Sequence, residues 1–434
     1  MKQINVAILG LGTVGSSTLD ILKNNQKEIA RRAGREIKIV SACVKDITKK
    51  RVCDISEIQI TDKPETVIND PNVDILIEVM GGIEPAYDLV KQAIKKGKHI
   101  VTANKALIAL HGDDLFNIAS KENVRIGFEA SVAGGIPIIK AIREGLSANN
   151  IQWLAGIING TGNFILTQMR SKASSFKEVL KEAQSRGYAE ADPALDINGV
   201  DAAHKLTIMA SSAYGIPLNF EAVYYEGIEK IANDDIEYAE QLGYRIKHLG
   251  IAKSTAEGIE LRVHPALVPQ RRLLANVDGV MNAVVVSSDA AGPTLFYGAG
   301  AGCMPTGSAI IADLVDIVKT LPAGAQDNAD SVVMINTSKA VIKPMDSVKN
   351  PCYLKLRAKD QPGVLAQVTK ILGDLDISIE AIIQKEPTNL ATDVPIVILT
   401  HEVLEKNMNS ALEKIQKLDT ITDEIVRVRV ENLS

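Results

Sequence analysis

The densest run of chemically active side chains in this sequence lies between residues 187 and 205. It reads GYAEADPALDINGVDAAHK and holds four carboxylates and one lysine. A helix is predicted after Gly199, so Asp201 and Lys205, four residues apart, share one helix face and could hold one ligand. The alternative is an exposed ion pair that adds little to stability. Asp192-Pro193 is more typical of a turn than of a catalytic site.

A second lysine follows directly after a predicted strand. Lys105 ends the run TANK, which overlaps the apolar run HIVTA. The carboxyl ends of parallel strands face the ligand crevice, so we expect Lys105 to point toward a substrate. Reduction of a carbonyl by hydride needs a proton donor at the oxygen, which an ammonium group supplies at neutral pH. Carboxylates such as Glu190 and Asp201 would bind an amino group of that substrate.

The glycine motif GLGTVG near the N-terminus predicts a dinucleotide site. It follows an apolar strand and opens a helix, the arrangement in which backbone N–H groups and the helix dipole hold a pyrophosphate. The alternative is a tight turn that only packs helix on strand. The predicted cofactor-binding residues of this motif are Gly10, Gly12, Thr13, Val14 and Gly15.

The residues after the second predicted strand bear on the choice of cofactor. An acidic side chain there accepts hydrogen bonds from free ribose hydroxyls, whereas a basic one pairs with a 2'-phosphate. Lys45 and Asp46 are adjacent, and Lys49, Lys50 and Arg51 follow. This cluster favours NADP(H), with NAD(H) still open, and the alternative is a solvated basic loop.

Three segments with different patterns position these residues. Up to about residue 135, short apolar runs alternate with helical stretches, which predicts an α/β fold with a parallel sheet of Rossmann type. From 136 to 343 the order is mixed and predicts an α+β domain. The predicted strands are INVAILG, IKIVSACV, VDILIEVM, HIVTA and VRIGFEA in the first segment, and IQWLAGIIN, IELRVHPAL, NAVVVSS and GPTLFYG in the second.

The last segment, residues 352 to 432, reads strand, helix, strand, strand, helix, strand. Two prolines in SKAVIKPMDSVKNP come before it, and we place a boundary near Asn350. The predicted domains are therefore 1–135, 136–345 and 350–434.

Composition excludes some partners. Aromatic residues make up 4% of the chain and the net charge is -5, so we expect no nucleic-acid binding. We find no apolar run long enough to span a bilayer and no signal peptide, and we predict a cytoplasmic protein. The four cysteines lack the spacing of a disulfide framework or a zinc site.

These motifs together resemble homoserine dehydrogenases. The resemblance rests on GLGTVG, TANK, FEASVAGGIP at residues 128–137 and the long block from Gly187 to Lys205, in the same order along the whole chain. It implies NAD(P)-dependent interconversion of L-aspartate 4-semialdehyde and L-homoserine, on the route to threonine, methionine and isoleucine. We expect a monofunctional member, with no kinase domain before the first strand.

The resemblance also implies roles for single residues. Lys205 matches the proton donor of the family, and Lys105 its partner near the nicotinamide. The positions that hold the substrate amino group match Glu190, Asp196 and Asp201. Two glycines near the cofactor match Gly187 and Gly302.

A monovalent cation, Na+ or K+, is likewise implied only by the resemblance. Carbonyl oxygens would surround it, at positions that match Glu129, Val132, Gly134 and Ile136; the alternative for this segment is a tight strand-to-helix turn. One departure is Gly162, where the family usually has Thr or Ser. A hydroxyl that could contact substrate or cap the next helix is missing, so we expect reduced local rigidity rather than lost activity.

The C-terminal segment resembles an ACT domain, a ferredoxin-like module that senses amino acids. The turn from Asp360 to Gly363 often binds an effector in such modules, at backbone N–H groups and a helix N-terminus. Threonine is the first candidate effector, and the alternative is a module that only pairs chains. The resemblance suggests a homodimer or homotetramer.

Two other functions remain at this stage. An acylating semialdehyde dehydrogenase needs a cysteine nucleophile beside a base, and none of the four cysteines has that setting. A catalytically silent nucleotide or amino-acid sensor would be expected to have lost Lys105 or Lys205.

Overall fold

The structure, a computed structural model, describes residues 3–321, 338, 340–384 and 393–433. The chain divides into two compact units. Among the described residues, no helix is long and apolar enough to cross a membrane. The first unit comprises residues 1–151, 204–221 and 288–339, and the second comprises 152–203, 222–287 and 340–434.

The α-helices are, in chain order, α1 (Thr13–Asn24), α2 (Gln26–Ala33), α3 (Pro64–Ile68), α4 (Ala86–Lys95), α5 (Lys105–Lys121), α6 (Ile138–Lys140), α7 (Gly160–Lys172), α8 (Phe176–Ser185), α9 (Ala194–Ile197), α10 (Val200–Tyr214), α11 (Asn233–Gln241), α12 (Cys303–Thr320), α13 (Val364–Gly373) and α14 (Glu405–Gln416). A π-helical turn, Ala141–Gly145, continues α6.

The strands are β1 (Ile4–Leu9), β2 (Ile37–Cys43), β3 (Gln59–Thr61), β4 (Ile75–Glu78), β5 (His99–Thr102), β6 (Ile126–Gly127), β7 (Ile151–Ile157), β8 (Tyr224–Tyr225), β9 (Tyr244–Thr255), β10 (Gly258–Pro269), β11 (Met281–Ser288), β12 (Gly292–Ala299), β13 (Lys349–Asn350), β14 (Cys352–Lys359), β15 (Ile379–Gln384), β16 (Asp393–Thr400), β17 (Val403–Leu404) and β18 (Val426–Val430).

The first unit is built on a six-stranded parallel sheet in the order β3-β2-β1-β4-β5-β6. Its central strands are almost completely buried, as expected of a parallel sheet covered on both faces. The predicted α/β fold of Rossmann type is therefore confirmed. The predicted strand VRIGFEA is shorter than expected, because the chain turns into a 3-10 helix at Glu129–Ser131.

Helix α12 packs on this sheet unit although it comes late in the chain. It lies against α1, and a Cβ atom added at Gly307 would lie 3.0 Å from the Cδ1 atom of Ile21. Its apolar face joins the core formed by β1, β2 and α1. By its position in the chain, this helix falls within residues 136–343, the segment that is predicted to form an α+β domain.

The second unit contains a mixed sheet in the order β11-β7-β9-β10-β18-β14-β16-β15, with β8 paired to β10. Strands β9 and β10 form a long antiparallel hairpin. Strand β9 is absent from the predicted strands, because Lys247 and His248 interrupt its apolar pattern. Both side chains are nevertheless buried.

The C-terminal elements have the predicted order β14, α13, β15, β16, α14, β18, with the two-residue strand β17 added between β16 and α14. Strand β18 pairs with β14 on one side and, in parallel, with β10 on the other. The C-terminal module therefore shares a sheet with the middle segment. Because the sheet is continuous, side chains of β18 contact residues that precede β10 in the sequence.

In the glycine loop after β1, packing against other protein atoms explains the absence of a side chain at some glycines and not at others. Gly10 has a positive φ of 96°, and a Cβ atom there would lie 2.8 Å from the carbonyl oxygen of Val79. A Cβ atom at Gly15 would lie 2.3 Å from the carbonyl oxygen of Gly10, whereas one at Gly12 would meet no protein atom within 4 Å. The absence of a side chain at Gly12 is thus not explained by packing, and it fits close approach of a ligand.

The same substitution at two glycines should separate folding from cofactor binding. We expect Gly15→Ser to lower the free energy of unfolding by about 1–3 kcal/mol, because its Cβ overlaps a backbone carbonyl. Gly12→Ser should leave that free energy nearly unchanged, since serine is a good helix N-cap, but weaken dinucleotide binding by about tenfold or more. Urea unfolding and calorimetric titration with NADPH measure the two effects. Equal dinucleotide affinity of Gly12→Ser and wild type would contradict the assignment.

Candidate active site

Three predicted site segments lie at the carboxyl edge of the parallel sheet. The glycine loop follows β1, Lys45 lies two residues after β2, and Lys105 is the first residue of α5, shortly after β5. Strands β2 and β4 both pair with β1, and β5 pairs with β4. The parallel topology therefore places these segments at the same edge. Of the predicted cofactor residues, Gly12 and Thr13 are exposed and Val14 is half-buried.

A buried carboxylate fixes the turn that carries Lys105. Glu78, at the end of β4, accepts hydrogen bonds from the Thr102 hydroxyl at 2.6 Å and the Met80 N–H at 2.9 Å. The Thr102 hydroxyl accepts one from the Asn104 N–H at 3.0 Å, and the Asn104 side chain caps α5 by accepting from the Leu107 N–H at 3.1 Å. Burial raises the pKa of Glu78.

Sequence reasoning missed Glu78 and Asn104. Glu78 falls within an apolar strand run, where only its contacts show a function. The Asn104 cap could have been found, because asparagine directly before a helical run is a common N-cap.

The basic loop after β2 is held together by its own acidic residue. Asp46 accepts hydrogen bonds from the Thr48 N–H at 2.8 Å and the Thr48 hydroxyl at 2.6 Å. Its backbone carbonyl accepts one from the Arg51 guanidinium at 2.6 Å. The carboxylate of Asp46 is thus engaged within the loop, while Lys45 and its neighbour Lys49 are exposed.

Asn159 joins two of the predicted substrate-binding carboxylates. Its side-chain amide donates to Asp196 Oδ1 at 2.8 Å and to Asp201 Oδ2 at 2.8 Å. Its side-chain oxygen accepts from the Gly162 N–H at 2.7 Å and so caps helix α7. The structure therefore brings Asp196 and Asp201 together, and it adds Asn159, a residue without a predicted role.

Helix α10 carries Asp201 and Lys205 one turn apart, as predicted. The residues are only 5% and 9% exposed, so the alternative of an exposed ion pair is wrong. Asp201 belongs to the second unit and Lys205 to the first, because the division falls between residues 203 and 204.

The other predicted residues of this block lie in a loop of the second unit. Gly187 has a positive φ of 73° and follows the end of α8, where glycine is the usual residue. Glu190 is exposed and lies three residues further on. The Thr161 hydroxyl, from the first turn of α7, donates to the Tyr188 carbonyl at 2.7 Å and ties the loop to α7. Asp192 accepts from the Ala194 N–H at 3.1 Å, which confirms the predicted turn.

The predicted cation segment makes a tight turn against the loop before α12. Ala133 and Gly134 both have positive φ angles, 53° and 50°, and a Cβ atom at Gly134 would lie 2.7 Å from the carbonyl oxygen of Gly300. The Gly135 N–H donates to the Ala299 carbonyl at 2.9 Å. Gly302, which ends this loop, is exposed and precedes the first residue of α12.

The ligands that this turn offers to a cation are backbone carbonyl oxygens, not a cluster of side chains. Among the hydrogen bonds of the described residues, none ends on the carbonyl of Val132 or of Gly134. The Ile136 carbonyl accepts from the Ile138 N–H at 2.8 Å. No group of three or more His, Cys, Asp or Glu side chains in the described part of the chain could hold a metal ion.

The Glu129 side chain caps the next helix. Its carboxylate accepts from the backbone N–H groups of Ile139 at 2.9 Å and Lys140 at 2.8 Å, while its own N–H donates to Asp313 at 2.9 Å. Burial and the nearby Asp313 carboxylate raise the pKa of Glu129 to about 7. A role at a cation would therefore fall to its backbone carbonyl.

The turn before α13 is exposed, as an effector site requires. Asp360 is exposed, and Gly363 has a positive φ of 91° as the residue that precedes the helix. A Cβ atom at Gly363 would meet no protein atom within 4 Å. The turn thus presents the open N-terminus of α13 that the sequence predicts.

The departure at Gly162 does not leave helix α7 without a cap, because Asn159 supplies it. A Cβ atom at Gly162 would lie 3.3 Å from Asn159 Oδ1 and 3.7 Å from His248 Nδ1. His248 is buried, and its Nδ1 atom has no hydrogen-bond partner among the described residues. The missing hydroxyl therefore corresponds to a missing donor for this nitrogen.

A serine at position 162 should supply the missing hydrogen-bond donor to His248 Nδ1. We expect Gly162→Ser to exceed Gly162→Ala in free energy of unfolding by about 0.5–1.5 kcal/mol, because only the serine hydroxyl can donate to His248 Nδ1. Urea unfolding of both variants measures the difference and cancels the effect of the added Cβ. Equal stabilities would show that the hydroxyl does not reach the imidazole.

Three family models match consecutive parts of the chain. The model described as homoserine dehydrogenase, NAD binding domain, matches residues 10–129, and the model described as homoserine dehydrogenase matches residues 137–315. A model of the ACT domain matches residues 353–420. The predicted nicotinamide-binding, catalytic and ACT segments are thus confirmed at the level of family.

Curated relatives and solved structures agree with these matches. A homoserine dehydrogenase of Pseudomonas aeruginosa is 51% identical, with both chains covered completely. The crystal structure of a homoserine dehydrogenase from Thiobacillus denitrificans matches with a TM-score of 0.92 and 53% identity, covering 100% of this chain and 99% of that one. A hyperthermophilic archaeal homoserine dehydrogenase in complex with NADPH matches with a TM-score of 0.63 and 27% identity, covering 74% and 99%. With its paired carboxylates, its glycine loop and full-length relatives of this identity, the chain belongs to the homoserine dehydrogenase family.

Proposed function

We propose that this chain catalyses the reversible NAD(P)H-dependent reduction of L-aspartate 4-semialdehyde to L-homoserine, a step on the route to threonine, methionine and isoleucine. The observation that carries the proposal is the Asn159-linked pair of Asp196 and Asp201 at the start of the helix that carries Lys205. A carboxylate pair for an amino group and an ammonium group for a carbonyl oxygen match the two polar ends of this substrate.

The carboxylates bind the substrate amino group. Asp196 and Asp201 are held by the Asn159 amide, so their orientation is fixed before the substrate arrives. Glu190, which is exposed in its loop, completes the set. Because a substrate ammonium compensates the negative charge of these groups, binding offsets their mutual repulsion.

Lys205 gives a proton to the aldehyde oxygen as the alkoxide develops, and takes it back in homoserine oxidation. When bound, the reduced nicotinamide supplies the hydride. Lys105, at the first position of α5, orients the reacting carbonyl and the nicotinamide. Its backbone position is fixed by the hydrogen bonds among Glu78, Thr102 and Asn104.

NADP(H) is the preferred cofactor in this proposal. Lys45 is exposed after β2, and the competing acidic group, Asp46, is engaged by Thr48. The archaeal relative that binds NADPH supports the same choice. The remaining cofactor contacts that we propose are the glycine loop with Thr13 and Val14, together with Gly187 and Gly302.

A monovalent cation, Na+ or K+, is part of the proposed site. The carbonyl groups of Val132 and Gly134 lie in a turn with two successive positive φ angles and accept no described hydrogen bond, which fits a hard cation. The carbonyls of Glu129 and Ile136 would complete the cage. The cation would hold the turn between β6 and α6 in place.

The proposed functional domains keep the predicted boundaries of 1–135, 136–345 and 350–434, and each contains the residues matched by one family model. Residues 322–337 and 339 lie outside the described chain. Association into a homodimer or homotetramer belongs to the same proposal. The cytoplasmic location stays a prediction from the sequence.

The alternative chemistry through a cysteine has little support. The four cysteines are free, and three of them are buried. Burial raises the pKa of Cys352 to about 12 and also raises that of Cys43, the opposite of what a thiolate nucleophile needs.

Replacing the proposed proton donor tests the function directly. We expect Lys205→Met to lower kcat for NADPH oxidation with aspartate semialdehyde by about 100-fold or more, because general acid catalysis is lost. Lys121→Met, which alters an exposed lysine at the end of α5, is the control and should keep wild-type kcat. Near-wild-type kcat in Lys205→Met would refute the role of Lys205. Inactive wild type would refute the proposed reaction, and the same assay with NADH compares the two cofactors.

Threonine should act through the exposed turn before α13. We expect threonine to raise the KM for homoserine about fivefold or more, as a coupling between separate sites. Asp360→Asn should lose this response without losing basal activity. Asp374→Asn, at an exposed ion pair of the same module, is the control and should respond like wild type. An unchanged KM at saturating threonine would leave chain pairing as the function of the module.

A further inference from the structure

His248 occupies a buried position beside the substrate carboxylates. It lies in β9 and is 4% exposed. Its Nε2 atom is 2.8 Å from the backbone carbonyl oxygen of Glu226. Because a carbonyl only accepts hydrogen bonds, Nε2 carries the proton and Nδ1 is the bare acceptor. Burial lowers the pKa of His248, which favours the neutral form of the ring.

The imidazole ring lies between the beginnings of two helices. A Cβ atom at Gly162, in the first turn of α7, would lie 3.7 Å from Nδ1, and one at Gly199, just before α10, would lie 3.4 Å from Cε1. These helices carry the Asn159 cap and Asp201. A Cβ atom at either position would lie at ordinary contact distance from the ring, so the imidazole lies directly beside both helix starts.

Glu226 is fixed through both its backbone and its side chain. Its N–H donates to the Val263 carbonyl at 2.8 Å. Its carboxylate pairs with Arg429 at 2.9 Å and Arg427 at 3.0 Å, and it accepts a hydrogen bond from the Tyr224 hydroxyl. Although burial acts against it, the charges of the two arginines lower the pKa of Glu226 to about 2.

Both arginines belong to β18 of the C-terminal module. Arg429 is completely buried and also pairs with Glu405, the first residue of α14. A buried charge of this kind cannot lose a partner without a large cost, which couples the position of Arg429 to both Glu226 and Glu405. A continuous series of contacts therefore runs from β18 through Glu226 and His248 to the starts of α7 and α10, all within the second unit.

We propose that His248 is a positioning residue for Asn159, Asp196 and Asp201, and that Arg429 of the C-terminal module acts on it through Glu226. The inference rests on the proposed function, since it takes these carboxylates as the substrate amino site. A shift of β18 moves Glu226, which moves the imidazole and changes the separation of the two carboxylates. The module thereby reaches substrate affinity without touching the substrate.

Substitution of His248 tests the first part of the proposal, the positioning role of the imidazole. We expect His248→Leu to raise the KM for homoserine roughly tenfold, with the KM for NADP+ changed less than about twofold. His248→Gln, whose amide can still donate to the Glu226 carbonyl, should restore the homoserine KM to within about threefold of wild type. His401→Leu, at an exposed histidine, is the matched control and should leave both KM values unchanged. Equal changes in both KM values, or none, would overturn the role of His248.

A double-mutant cycle tests the second half. If Glu226 acts on the substrate site through His248, Glu226→Gln should raise the homoserine KM in the wild-type background and have no further effect in the His248→Leu background. If the two substitutions raise the homoserine KM by factors that simply multiply in the double variant, Glu226 does not act through His248. If Glu226→Gln does not fold, as judged by circular dichroism, Glu226→Asp keeps the charge and shortens the side chain in the same cycle.

One more variant separates this inference from the proposed function. Asp201→Asn should raise the homoserine KM whether or not His248 acts as we propose. If Asp201→Asn leaves that KM unchanged, the proposed substrate site is wrong. If Asp201→Asn raises it and His248→Leu does not, the substrate site stands and the positioning role fails.

Discussion

Two carboxylates that lie close together in a largely buried site repel each other unless something compensates their charge, and here the Asn159 amide contributes to that compensation. Asn159 donates to Asp196 and to Asp201, and its oxygen caps helix α7. The same side chain therefore fixes the carboxylate pair and the helix start. The proposed substrate site depends on this arrangement, because one residue contacts both carboxylates.

The second constraint is the sheet that the middle segment and the C-terminal module share. Parallel pairing of β18 with β10 brings Arg429 next to Glu226. The buried ion pairs there form only if both strands keep their register. An ACT module attached by a flexible linker could not transmit a small displacement in this way. The shared sheet connects the module directly to the middle segment, which is the physical basis of the coupling that we propose.

Much of this could be predicted from the sequence. The strand and helix runs of the first segment followed from apolar periodicity, and the glycine loop from its spacing between a strand and a helix. Strand β9 could not be predicted, because Lys247 and His248 break its apolar pattern and their partners, Asp278 and the Glu226 carbonyl, are distant in sequence. Glu78 was missed for a similar reason, since its partners Thr102 and Met80 come together only at the sheet edge.

The sequence by itself determined the family, the order of the segments and the candidate residues Lys105, Lys205, Asp196 and Asp201, because these depend on residue type and on spacing along the chain. Only the tertiary structure decided that Asp196 and Asp201 share the Asn159 amide, that Asp201 and Lys205 are buried, and that Arg429 reaches Glu226. The physical reason is that hydrogen bonds and burial depend on distances in space, and residues far apart in sequence set those distances only when the strands have paired.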